Sequence, residues 1–159
     1  MRAVTKGLAA GALVMAAPAF AADTVSASDP AGVAAAMREA GYPAELTTDP
    51  YGDPLIKTAF GDYTGSVYFY GCDAAGHDNC DSIQFRAGLD RETPLPLDRL
   101  NAILKKYRFT AMWLDDEGDP WVNFDLFTGA GISGAVFHGA LKAFRGNFGA
   151  VADEVFKPE

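Results

Sequence analysis

The chain has 159 residues, 49% of them hydrophobic and 21% charged, with 13 basic against 21 acidic side chains and a formal net charge of −8. An acidic surplus of this size repels a phosphate backbone, which disfavours nucleic-acid binding. The length suits one domain able to bury most of its apolar surface.

The first segment, Met1 to Ala21, opens with the cations Arg2 and Lys6, continues through an apolar run from Leu8 to Ala17, and ends Ala19-Phe20-Ala21. This is the layout of a secretory signal peptide, with small residues flanking a cut after Ala21. The run is too short and alanine-rich for a membrane-spanning helix, which needs about 20 strongly apolar residues. Its removal leaves 11 basic against 21 acidic residues, a net charge of −10. The expected location is periplasmic or secreted, with no membrane attachment after cleavage. In such an oxidising compartment the two cysteines, Cys72 and Cys80, read as a disulfide.

Residues 22–28 are small and polar and predict a flexible lead. Structure is expected from Asp29-Pro30, a capping carboxylate before a proline at the first helical position, through a short helix stopped by Gly41. Four alternating segments follow, Ala44 to Thr48, Pro54 to Phe60, Gly65 to Cys72 and Cys80 to Ala87, separated by turn residues such as Asp49-Pro50-Tyr51-Gly52-Asp53 and Gly61-Asp62. They predict antiparallel strands joined by hairpins.

Leu97, Leu100, Ile103, Leu104 and Tyr107 have the spacing of an amphipathic helix. Strands are expected at Phe109 to Leu114 and Trp121 to Leu126, either side of the polar turn Asp115-Asp116-Glu117-Gly118-Asp119. A long helix from about Ser133 carries Val136, Phe137, Leu141, Phe144 and Phe148. The order α-β-β-β-β-α-β-β-α lacks βαβ alternation. It predicts one α+β domain over residues 29–156, an antiparallel sheet of about five to six strands with three helices.

Strand parity separates two faces. Val67 and Phe69, like Ile83 and Phe85, point to the core, while Tyr68 and Tyr70 point away with Cys72, and Ser82 and Gln84 with Cys80. Both sulfurs are therefore expected on the face opposite the core. The competing reading of this loop is a small-ligand or metal site from Cys72, His77 and Cys80 with Asp73, Asp78 or Asp81, although no partner ligand pair exists elsewhere. Trp121 shares the non-core parity of its strand. Tyr68, Tyr70 and Trp121 thus form a candidate binding surface, unless a helix or loop covers them.

Other motifs point to ordinary structure. Gly129-Ala130-Gly131-Ile132-Ser133-Gly134 fits G-x-G-x-x-G, but a dinucleotide site needs a following parallel strand, and the chain ends in the helix. The glycines instead predict a tight turn with Ser133 capping the helix. The nucleophile-elbow pattern fails at Ala135, and neither His77 nor His138 has a catalytic motif around it, so acyl transfer is unsupported. Asp115, Asp116, Glu117 and Asp119 lack the spacing of a calcium loop and read as a solvated hairpin tip.

Taken together, Asp53-Pro54-Leu55-Ile56, Val67-Tyr68-Phe69-Tyr70-Gly71-Cys72 with Cys80-Asp81-Ser82-Ile83-Gln84-Phe85, Leu100-Asn101 with Tyr107-Arg108-Phe109, and Leu114 to Pro120 through Gly131-Ile132-Ser133 resemble the YbjN-domain family. The resemblance runs from about Asp29 to Phe148, with Leu104 standing where a second asparagine is frequent. It implies a role in bacterial sensory transduction and a fold similar to type III secretion chaperones, which often dimerise. It supplies no catalytic residue. The resulting expectation is an exported, non-enzymatic binding or regulatory module for a protein or peptide, without cofactor or metal, with a homodimer as one form. The alternative is a small-ligand or metal-binding periplasmic protein using the Cys72 to Cys80 loop.

Overall fold

The computed structural model describes residues 24–158. The signal peptide expected over 1–21 lies outside the described residues. The elements are β1 (Thr24–Val25), α1 (Pro30–Glu39), β2 (Glu45–Thr48), β3 (Pro54–Phe60), β4 (Tyr63–Tyr70), β5 (Ser82–Gly88), α2 (Leu97–Lys106), β6 (Ala111–Leu114), β7 (Pro120–Phe127), β8 (Ile132–Ser133) and α3 (Gly134–Val155). Six strands form one antiparallel sheet in the order β2-β3-β4-β5-β7-β6, and β1 pairs with β8 in a separate two-stranded ribbon. The chain is α+β, and apart from the short β1–β8 ribbon its element order is the one expected.

Local chemistry sets the helix ends. Asp29 Oδ1 accepts from Gly32 N at 3.0 Å, and Pro30 occupies the first turn, where its missing N–H costs nothing. Beyond Ala40, Gly41 takes φ +86°, and its amide and that of Tyr42 return to Arg38 O and Met37 O, closing the helix in a Schellman turn. Ser133 caps α3, its Oγ accepting from Val136 N.

Every second residue of the central strands faces the helices. Ile56, Val67, Phe85 and Phe124 lie abreast across β3, β4, β5 and β7; the first three are fully buried and Phe124 is partly so. Phe137, Leu141, Phe144, Phe148 and Val151 of α3 fill the space above them. Phe144 meets Phe60 edge to face at 4.7 Å between ring centroids and stacks on Phe85 at 5.7 Å. Each such side chain contributes about 1.5–3 kcal/mol by leaving water, and well-oriented ring pairs add roughly 0.5–1.5 kcal/mol. The far end of α3 is held electrostatically: Arg91 donates to Val155 O, and Arg99 donates to Glu154 O and Lys157 O, placing cations on the negative end of the helix.

Three expectations are corrected. The lead expected to be flexible over 22–28 is ordered from Thr24: β1 pairs with β8, and Val25 and Ala27 are buried. Thr128 anchors it by accepting from Ala27 N at 2.9 Å and donating to Asp81 O. The strand expected from Phe109 begins only at Ala111, because Phe109 takes φ +54° and cannot continue a pleat. The cysteines lie beyond the ends of β4 and β5 rather than within them. Gly71, at φ +67°, turns the chain after Tyr70 and breaks the parity, so Cys72 packs against the core; Cys80, ahead of β5 and bonded to Cys72, is buried.

Candidate functional site on the open sheet face

Among the described residues the helices pack with the core cluster, and none covers the centre of the sheet's second face. Its rows follow from the register: Lys57, Ser66, Arg86, Asn123 and Ala111 lie abreast; Leu55, Tyr68, Gln84 and Asp125 form the next row; Tyr70, Ser82 and Phe127 the one beyond. At the opposite end Gly88, Trp121 and Trp113 are neighbours. Tyr70 is 40% exposed, Trp113 43% and Phe127 74%, whereas Tyr68 and Trp121 are half-buried against the strands. The three sequence-predicted surface residues, Tyr68, Tyr70 and Trp121, therefore share this face. Arg86, Trp113 and Phe127 join them; the alternation that places Gln84 outward also places Arg86 there, and Trp113 shares parity with Ala111.

A polar chain crosses the aromatics. The Arg86 guanidinium lies over the Tyr68 ring, 4.2 Å from its centroid. Arg86 Nε donates to Gln84 Oε1 at 2.8 Å, and Nη2 donates both to that oxygen and to Tyr70 Oη, the latter at 2.8 Å. Gln84 turns its other end to Asp125, Nε2 donating to Oδ1 at 2.7 Å, and Asn123 Nδ2 donates to Asp125 Oδ2 at 3.4 Å. Stacking on the ring and a two-point hydrogen bond hold the guanidinium in one orientation.

Trp121 is fixed from three sides. Its ring stacks on Trp113 at 5.6 Å and 9° between planes. It also lies across Gly88, where an added Cβ would stand 3.2 Å from the indole. Its Nε1–H donates to Asp115 Oδ2 at 2.9 Å. The other oxygen of Asp115 accepts from Glu117 N and Asp119 N within the β6–β7 turn. The indole bond first, and then the Asp119 amide, hold the Asp115 carboxyl below its ordinary value of 3.8. A shallow cleft of about 290 Å³ opens between Tyr68, the Arg86 stem, Gly88 and Trp121, with Asp90, Asp115 and Asp119 on its rim.

The remaining candidates resolve into structure. Cys72 and Cys80 are joined, with sulfurs 2.10 Å apart, and His77 turns to Asp53, its Nδ1 lying 2.8 Å from Oδ1, with the ring packed over Gly52. The loop is thereby docked on the β2–β3 turn, and its sulfurs are spent on each other. Among the described residues no cluster of three His, Cys, Asp or Glu side chains could hold a metal ion. Ser133 Oγ caps α3, while His138 Nε2 faces Ala36 O at 3.3 Å, so the two do not form a nucleophile and base. Ile132–Ser133 pairs antiparallel with β1, not in the parallel arrangement a dinucleotide site requires. No helix among the described residues is long and apolar enough to cross a membrane; this and the paired cysteines are compatible with an exported protein.

A family model, YbjN, described as "Putative bacterial sensory transduction regulator", matches residues 29–157. By that description the domain is a regulatory one. No curated protein matches the chain.

Proposed function

The chain belongs to the YbjN family, and from that membership together with the open sheet face we propose that it is an exported, non-enzymatic binding module that recognises a protein or peptide. The observation that carries the reading is the concentration of Tyr68, Tyr70, Trp113, Trp121 and Phe127 on a face that the helices leave uncovered. Aromatic and arginine side chains of this kind dominate protein interfaces, because rings bury much area at little entropic cost and guanidinium makes several directed bonds. Regulation then consists of binding: the rigid sheet presents the face, and occupancy by a partner or a second copy is the signal.

Export accounts for the cysteine pair, which stays oxidised outside the reducing cytosol. The extracytoplasmic partner would be captured by the protein from periplasmic extract and lost with the double variant Trp121→Ala, Tyr70→Ala, whose circular dichroism should match the parent. Unchanged capture by that variant, combined with a strict monomer in light scattering, would overturn the reading.

A further inference from the structure

Arg86 forms no ion pair with a carboxylate among the described residues. Among the described residues its guanidinium is bound only by Gln84 Oε1 and Tyr70 Oη, both neutral, and the ion pairs present are His77 with Asp53 and Lys106 with Glu154. Asp125, the acid at the end of this chain of contacts, is kept at one remove by Gln84, whose amide offers its oxygen to Arg86 and its nitrogen to Asp125. A glutamate at 84 would neutralise the guanidinium; glutamine orients it and leaves the charge unspent.

Two donors are left over, on side chains that are hydrogen-bonded to each other. Arg86 Nη1 makes no hydrogen bond among the described residues, and Tyr70 Oη, having accepted from Nη2, retains its own proton without an acceptor there. Tyr70 is 40% exposed, and Arg86 is partly exposed with no buried, unpartnered side-chain nitrogen among the described residues, so both donors reach solvent beside the Tyr68 ring. A guanidinium N–H and a phenol O–H on hydrogen-bonded neighbours can each donate to one oxygen of a carboxylate. The acidic surplus of the chain opposes any anion, so recognition at this point has to come from the preoriented guanidinium and the directed bonds it and Tyr70 can make.

We infer that Arg86 and Tyr70 form a receptor for a carboxylate, supplied by an aspartate or glutamate side chain of the peptide partner. The inference rests on the proposed binding role of this face and specifies its chemistry.

The test is a titration of the isotope-labelled full protein, as recovered from its host, followed by amide and arginine Nε–H resonances at fixed ionic strength. The probe is N-acetyl-glutamate α-amide, and its neutral isostere N-acetyl-glutamine α-amide is the control. Saturable shifts confined to Tyr70, Gln84, Arg86 and their neighbours are expected with the first and absent with the second. Arg86→Gln and Gln84→Glu should each weaken the glutamate probe by about tenfold or more, as loss of a charge-assisted bond requires, and Tyr70→Phe by a smaller factor. Shifts that fail to saturate, that appear equally with the neutral probe, or that survive Arg86→Gln overturn the inference. A preference for N-acetyl-glutamine carrying a free α-carboxylate also overturns it, by assigning the site to a chain terminus. If the glutamate probe fails while partner capture still depends on Trp121 and Tyr70, the receptor is wrong and the binding face stands; if capture is independent of the face, the broader reading falls whatever the probe does.

Discussion

Trp121 donates its indole N–H to Asp115 across the turn that joins β6 to β7, so one of the two indoles of the open face is tied to the acidic hairpin tip. The sheet thus presents its aromatics from a frame that is already set before any partner arrives, which lowers the ordering cost of binding.

The titration of Asp115 follows from this bond. Its carboxyl is depressed below 3.8 in the folded protein, so its stabilising contribution is fully present above that value and disappears as pH falls through the lower folded pKa. The fluorescence of the two tryptophans should therefore hold steady on acidification through the ordinary carboxylate range and change only below it. In Asp115→Ala the change should already be present at neutral pH. A parent transition centred at or above 3.8 would refute the assignment.

The stacked indoles give a second readout. Trp113 and Trp121, stacked in nearly parallel planes at 5.6 Å, should produce an exciton couplet in far-ultraviolet circular dichroism that disappears in Trp113→Phe and in Trp121→Phe. Gly88→Ala should diminish it, because the new Cβ stands 3.2 Å from the indole and must displace it. An undiminished couplet in Gly88→Ala would show that the ring does not lie on the glycine.

On the opposite face the cost is one of packing. Phe144→Ala should lower unfolding free energy in urea by about 3–5 kcal/mol, since it empties a fully buried site between Phe60 and Phe85. Gly65→Ala should cost about 1–3 kcal/mol by overpacking, because its Cβ would come 2.5 Å from the Phe60 ring. A loss below 1 kcal/mol for Phe144→Ala would contradict the described core.

Cys72→Ser with Cys80→Ser should destabilise the domain by roughly 2–3 kcal/mol on the chain-entropy argument for so short a loop. Mass spectrometry of protein from the native host should find a chain beginning at Ala22 and two hydrogens lighter than its reduced form. An intact amino terminus with two free thiols would remove the case for export.

Much of the site was legible because side-chain parity is a local property. Alternation along β4 and β7 assigned Tyr68, Tyr70 and Trp121 to the non-core face with no knowledge of their neighbours. Asp29 and Ser133 were readable as caps for the same reason, each acting within three residues of itself. The cysteines were misplaced where locality ends: one glycine at positive φ, Gly71, cancels the parity argument for Cys72, two residues beyond Tyr70, and Cys80 is held by its bond to Cys72. The two-residue strand Thr24–Val25 carries no period to detect, and only its pairing with Ile132–Ser133 defines it.

The sequence by itself determined the α+β class, the order of the main elements, the sorting of strand residues into two faces and the acidic surplus, since these depend on neighbours within a few bonds or on composition alone. Only the tertiary structure decided that the helices leave the second face open, that Gln84 stands between Arg86 and Asp125, and that Asp115 holds Trp121 rather than solvent. Which groups meet across strands is fixed by register and by long-range packing, and neither is written in any single segment of chain.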